Sequence, residues 1–333
     1  MSTIERFDSH LPPTLQDIES AALRIQGYAI RTPLLESPEL NAFAGGRLLF
    51  KPEVLQRTAS FKFRGACNRL LQLSGEQKRC GVVAFSSGNH ALATSLVARL
   101  LNIPATIIMP ADAPQAKIRG ARDNGATVVL YNRLTDDREA IGAEVAGRTG
   151  AVMVPPYNDP DIIAGQGTVG LEIMEDLQSL GIKADSVIAA CSGGGLIAGV
   201  ATAVRAKSDS TQVYAVEPEG FDELARSLIS GKRERNAPDA KSICDALQVV
   251  TPGELTFDIN RKLLRGGVVV TDDEVRNAMR VAYQKLKLIV EPGGAVALAA
   301  VLQNRIETRD RTTVIVLSGG NVDPDLYAEI ITA

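Results

Sequence analysis

The chain has 333 residues, 45% of them hydrophobic, enough to bury a substantial core and to form two domains or one large one. Its 36 Lys and Arg stand against 39 Asp and Glu, so no basic field exists to attract nucleic acid. No apolar run approaches the roughly 20 residues of a membrane span, and the opening MSTIERFDSHLPP lacks the apolar stretch of a secretory signal, so a soluble cytoplasmic protein is expected.

In chain order, the first informative segment is Thr58-Ala59-Ser60-Phe61-Lys62-Phe63-Arg64-Gly65, which leads into an amphipathic helix ending near Leu71. Val82–Phe85 reads as a strand, followed by a helix from Ala91 to Leu101. The alternation continues with a strand at Ala105–Met109, a helix at Ala113–Asn124 and a strand at Ala126–Tyr131. A helix at Arg138–Arg148 then precedes a strand at Ala151–Val154. Farther on, Ser186–Ala190, Gln212–Val216, Gly267–Thr271 and Thr313–Leu317 are strand candidates separated by long helical segments. Short β-branched runs alternating with helices predict βαβ units and parallel sheet. Asn124-Gly125 and Thr149-Gly150 supply helix stops. No internal repeat or low-complexity linker occurs, so domains are expected to share chain crossings.

Ligands of open α/β sheets bind at the carboxyl ends of strands, where helix N-termini hold anions. Ser86-Ser87-Gly88-Asn89-His90, Ser192-Gly193-Gly194-Gly195-Leu196 and Ser318-Gly319-Gly320-Asn321 all fall at such points. In the second of these, glycines let successive N–H groups converge on a phosphate. A tight strand–helix turn needs the same residues. A dinucleotide loop is a third reading, with Gly199 and the acid Glu217 as imperfect matches, and it would imply a nicotinamide-dependent oxidoreductase. Lys62 lies between Phe61 and Phe63. An enclosed lysine has a depressed pKa and serves as a nucleophilic amine; a solvated lysine is the ordinary alternative. Ser86 to His90 offer hydroxyls, an amide and an imidazole to a carboxylate, more than helix capping uses. Cys67, Cys80, Cys191 and Cys244 are widely spaced, and His10 and His90 are the only histidines. Neither a disulfide framework, a zinc knuckle nor a Ser-His-Asp triad is therefore expected.

Together these segments resemble the fold-type II pyridoxal-phosphate enzymes, in particular the serine/threonine dehydratase and serine racemase family. Ser60–Ala66 is similar to that family's lysine motif, Ser86–His90 to its SSGNH segment, and Ser192–Leu196 to its phosphate loop. Further matches are Ile163–Thr168, Glu291-Pro292-Gly293-Gly294-Ala295 and Ser318–Asn321, so the likeness runs in family order from about Thr32 to Asp323.

The resemblance implies a two-domain α/β fold of the tryptophan synthase β type, with parallel-rich sheets flanked by helices. The small mobile domain would span 81–154, and the large cofactor-binding domain would be built from 1–80 and 155–333. It implies pyridoxal 5′-phosphate bound covalently by Lys62, beside Phe61, with Asn89 on its 3′-oxygen. Ser192, Gly193, Gly194, Gly195 and Leu196 would hold the phosphate, and Ser318 would face the pyridine nitrogen. A neutral hydroxyl there makes the ring a weaker electron sink and favours β-elimination. The implied activity is dehydration of a small hydroxy-amino acid to a 2-oxo acid and ammonia, with serine racemisation or 3-hydroxyaspartate dehydration as alternatives. Ser86, Ser87, Asn89 and His90 would bind the substrate carboxylate. Ser87 could also act as a second acid/base on the face of Cα opposite Lys62. Arg138 would meet a distal carboxylate, unless it merely pairs with Asp136, Asp137 or Glu139.

Glu217, Glu223 and the carbonyl of Phe221 resemble a divalent-cation site suited to Mg²⁺ or Ca²⁺, two surface carboxylates being the ordinary alternative. The resemblance further implies a homodimer. About ten residues follow Asp323, too few for a C-terminal regulatory domain, so feedback inhibition by isoleucine is not expected. The chain departs from the family pattern at Ser192, at Ala246 and in Pro155–Asn158. Those departures bear on which substrate is used more than on the cofactor.

Overall fold

The computed structural model describes residues 11–113, 115–132 and 135–333, so His10 lies outside the described residues. Among the described residues ten strands form two sheets. In chain order they are β1 Leu35–Glu36, β2 Arg47–Pro52, β3 Val82–Phe85, β4 Ala105–Pro110, β5 Thr127–Tyr131, β6 Val152–Met153, β7 Ser186–Ala190, β8 Gln212–Pro218, β9 Gly266–Val270 and β10 Thr312–Leu317. The six-stranded sheet has the order β1-β2-β10-β7-β8-β9 and is parallel except where β1 meets β2. The four-stranded sheet, β5-β4-β3-β6, is parallel throughout.

The β-branched runs form strands because both faces are covered, as parallel sheets require. Beneath the larger sheet lies the helix Pro292–Leu302, apolar on every side and buried along its whole length. The helix Arg138–Thr149 starts on the Asp137 side chain, which accepts from the N–H groups of Glu139 and Ala140, and stops at Gly150 with φ 72°. Left-handed backbone at that position suits glycine.

The expected alternation is present, with two differences that matter. Strands β1 and β2 join the larger sheet at one edge, where the sequence reading placed no strand. The helix after β3 begins at Asn89, so Asn89 and His90 form its first turn behind the cap Gly88. Beneath the Lys62 helix, Arg64 donates to Glu53 and Glu172, each at 2.7 Å, and Lys51 donates to Glu172 at 2.7 Å. The cluster is charge-balanced and Arg64 is wholly buried. Burial opposes the Arg64 charge, but Glu53 and Glu172 raise its pKa above the usual value. Among the described residues no helix is long and apolar enough to cross a membrane.

Candidate active site

The carboxyl ends of β3, β7 and β10 open on one cavity of about 510 Å³. The helix Lys62–Leu71 aims its first residue into that space. Backbone stitching holds the lysine segment to the turn after β10. The Phe61 N–H donates to the Ser318 carbonyl at 3.1 Å, Gly320 donates to the Ala59 carbonyl at 2.9 Å, and Ser60 bridges to Gly319. Thr58 and Ala59 just before it have φ of 57° and 50°, a left-handed conformation that costs a non-glycine residue about 1–3 kcal/mol. Their carbonyls are taken up by Asn321 Nδ2 and the Gly320 N–H, which keeps the turn in place.

Lys62 Nζ lies 5.1 Å from the centre of the Phe61 ring and donates to the Pro156 carbonyl at 2.7 Å. Burial lowers its pKa to about 8. No carboxylate pairs with it among the described residues, as a nucleophilic amine requires. Ser86, Ser87, Asn89 and His90 line the same cavity. The Ser86 hydroxyl accepts from the Gly88 N–H at 3.1 Å. His90 Nε2 bonds the Val154 carbonyl at 2.9 Å, and its Nδ1 is buried without a partner. Burial, then the Lys62 charge, lowers His90 to about 3, so the ring is neutral at physiological pH.

The glycine run forms a cradle at the N-terminus of the helix Gly195–Lys207. Its cap is Gly194 at φ 92°, which offers no side-chain acceptor, so first-turn N–H groups remain available to an anion. A methyl on Gly193 would overlap the Tyr157 ring, and one on Gly195 would come within 2.7 Å of Gln166 Oε1. Outward-facing carbonyls of the run are fixed by Thr256 Oγ1 on Gly193 at 2.6 Å and Asn260 Nδ2 on Gly194 at 3.3 Å.

A family model described as "Pyridoxal-phosphate dependent enzyme" matches residues 25–319. The chain belongs to that family. It is 42% identical over 315 residues to an L-threo-3-hydroxyaspartate ammonia-lyase of Pseudomonas sp, covering 95% of this chain and 97% of the relative. An L-threonine ammonia-lyase of Thermotoga maritima is 40% identical over 96% of this chain and 78% of its own. The solved structure of maize serine racemase superposes with a TM-score of 0.90 at 37% identity, over 97% of this chain and 98% of that one. The protein is therefore an enzyme with the two-sheet α/β architecture of fold type II, and the dinucleotide reading of the glycine run gives way.

The residues present fit the family's cofactor. A low-pKa amine, an uncapped anion cradle and the Ser318 hydroxyl surround one cavity. When bound, pyridoxal phosphate supplies an electrophilic carbon and a ring that takes up electrons from the substrate's α-carbon. All the expected cofactor and substrate residues line this cavity, namely Phe61, Lys62, Ser86, Ser87, Asn89, His90, Arg138, Ser192–Leu196 and Ser318. Arg138 lies over the Phe85 ring at 5.1 Å, and among the described residues it makes no ion pair with its acidic neighbours.

Glu217, Phe221 and Glu223 do not line the cavity; both carboxyls lie close enough to Cys191, which does, to raise its thiol pKa, after burial itself. Both carboxyls are pushed upward by burial. Glu217 accepts from the N–H groups of Leu224 and Ala225 at 3.0 and 2.7 Å. Glu223 Oε2 accepts from Asn236 and Oε1 has no partner. Tyr157, Asp245 and Glu291 also line the cavity, and the sequence reading gave them no role. Glu291 stood within a segment already matched to the family, and Asp245 and Tyr157 beside positions that depart from the family pattern, which was the available signal.

Proposed function

We propose that this enzyme removes the β-hydroxyl of a small hydroxy-amino acid, giving a 2-oxo acid and ammonia. The observation that carries the reading is the pairing, around one cavity, of an unneutralised low-pKa lysine with a neutral hydroxyl at Ser318. Lys62 takes the proton from the substrate's α-carbon. Ser86, Ser87 and the backbone N–H of Asn89, at the open end of β3, hold the substrate carboxylate, with His90 beside them bracing the turn on the Val154 carbonyl. The Ser192–Leu196 N–H groups hold the phosphate. With the α-proton gone, the β-carbon–oxygen bond breaks, and the leaving hydroxide takes up the proton that Lys62 removed and departs as water. The released enamine takes that water back to yield the oxo acid and ammonium, so the atoms balance.

Within this class 3-hydroxyaspartate is the favoured substrate. Arg138 brings to the cavity a guanidinium that has no carboxylate partner among the described residues, which suits a second substrate carboxylate, and the Pseudomonas sp relative is named for that substrate. Serine racemisation is the second reading, supported by Ser87, a hydroxyl at the cavity wall. Glu217, Glu223 and the Phe221 carbonyl form the proposed Mg²⁺ site, supported by the orphan Glu223 oxygen. Residues 81–154 are proposed as a small mobile domain whose closure excludes water, the enzyme as a homodimer, and the cytoplasm as its location. A coupled 2-oxo-acid assay on both enantiomers of serine, threonine and 3-hydroxyaspartate, with chiral analysis, tests the reading. Highest kcat/KM on 3-hydroxyaspartate is expected; no oxo acid from any of them would refute it.

A further inference from the structure

Glu291 is buried against the cavity, and the chemistry above leaves it unused. It stands at the cap position of the helix Pro292–Leu302 but makes no side-chain cap there. Its Oε1 instead accepts from Asn89 Nδ2 at 2.6 Å, while Oε2 is buried without a hydrogen-bond partner. Asn89 is held from its other end as well. Its Oδ1 accepts from Asn321 Nδ2 at 2.8 Å, and Asn321 in turn donates to the Thr58 carbonyl at 2.7 Å. An amide whose two ends meet different partners cannot flip without losing both hydrogen bonds. The Asn89 carbonyl is thus committed to Asn321 and one N–H to Glu291, leaving its second N–H for the cavity. Glu291 is itself fixed by its backbone N–H on the Gly319 carbonyl at 3.0 Å, and a methyl on Gly319 would overlap its Oε1.

We propose that Glu291 is a positioning residue that keeps the N–H of Asn89, and not its carbonyl, facing the 3′-oxygen of pyridoxal phosphate. The proposal rests on the assignment of Asn89 to that oxygen. A flipped Asn89 would turn lone pairs on an oxygen that carries negative charge, replacing attraction with repulsion. The charged groups facing Glu291 are Asp245 and Lys117, which pair with each other at 2.6 Å. Burial, then Asp245, raises the Glu291 pKa to about 7. One carboxyl oxygen can therefore carry a proton while the other still accepts from Asn89, so the positioning role survives in both states.

The test uses holoenzyme absorbance against pH and the Kd for pyridoxal phosphate, measured on Glu291→Leu, Glu291→Gln, Asn89→Ala and the Asn89→Ala/Glu291→Leu double variant. Glu291→Leu is expected to weaken cofactor binding roughly tenfold, the scale of one hydrogen bond to a charged group, and to move the pH midpoint of the visible band. Glu291→Gln, which keeps an acceptor oxygen, should restore both. In the Asn89→Ala background Glu291→Leu should add nothing. If Asn89→Ala changes the spectrum while Glu291→Leu does not, or if the Glu291→Leu effect persists undiminished without Asn89, the positioning role is overturned and the Asn89 assignment stands. A silent Asn89→Ala overturns both. Should Glu291→Leu fail to fold, Asn321→Ala frees the other end of the same amide and must give the same shift; a silent Asn321→Ala refutes the proposal.

Discussion

The amine of Lys62 ends on the carbonyl of Pro156, 2.7 Å away and 94 positions along the chain. A carbonyl is a weak partner for an ammonium compared with a carboxylate, so this contact orients the amine without holding its proton. At a pKa of about 8 in place of 10.5, the neutral fraction at pH 7 is roughly 300-fold that of an ordinary lysine. The sign follows from the nucleophile being the neutral amine. The rate at which apoenzyme takes up pyridoxal phosphate should rise about tenfold per unit below pH 8 and level above it. Stopped-flow absorbance measures this, and a rate still climbing steeply past pH 9.5 would show that the cavity does not depress the lysine.

Arg138→Ala should raise KM for 3-hydroxyaspartate roughly 10- to 150-fold, as expected for losing a charge-assisted hydrogen bond of about 1.5–3 kcal/mol. KM for serine should change little, because serine has no distal carboxylate. Equal losses on both substrates would remove Arg138 from substrate recognition.

Ser87→Ala should abolish any racemisation while leaving β-elimination within about tenfold, because only racemisation needs a proton delivered from the face opposite Lys62. Chiral chromatography of recovered serine decides it; undiminished racemisation in the variant assigns the second acid elsewhere.

Mg²⁺ at a hundredfold excess over its Kd should raise the thermal midpoint by about 5 °C, the linkage value for a chain of this size. EDTA should reverse the rise, and Glu217→Gln should lose the response. A midpoint indifferent to both Mg²⁺ and EDTA would leave Glu217 and Glu223 as a proton-sharing structural pair.

Arg64→Met should cost about 3–5 kcal/mol, because Glu53 and Glu172 then remain buried with too little positive charge. Urea unfolding followed by circular dichroism reads the loss. A cost under about 1 kcal/mol would mean that water or protonation relieves the carboxylates.

Most of the fold was legible because its strands are short β-branched runs between helices with clear stops, such as Val82–Phe85 and Ser186–Ala190. The strand Arg47–Pro52, next to the sheet's edge, was not. It ends in Lys51-Pro52, which reads as exposed and strand-breaking, yet Lys51 is fully buried. What makes that possible is Glu172, 121 residues later, and no local window contains it. The same distance effect hid Glu291. It heads the helix Pro292–Leu302, while its partner Asn89 lies 202 residues away. The glycine run and Ser86–His90 were readable because adjacent residues act together. The left-handed Thr58 and Ala59 carry no such signature, since their conformation is imposed by the Ser318–Asn321 turn.

The first and last strands of the smaller sheet, β3 and β6, lie side by side, with Val82 opposite Val152. The chain therefore enters and leaves that sheet at neighbouring points. Ser86, Ser87, Asn89, His90 and Arg138 all fall between those points, while Lys62, the glycine run and Ser318 fall outside them. The proposed substrate-binding residues are thus encoded in one uninterrupted stretch of the gene, Ser87 and Asn89 among them, and Lys62, the glycine run and Ser318 in the stretches that flank it. A single uninterrupted exchange that keeps Ser87 and Asn89 could re-aim the enzyme at another amino acid with the rest of its reaction centre untouched, which gives evolution, or a protein engineer, a cassette with both ends at one seam.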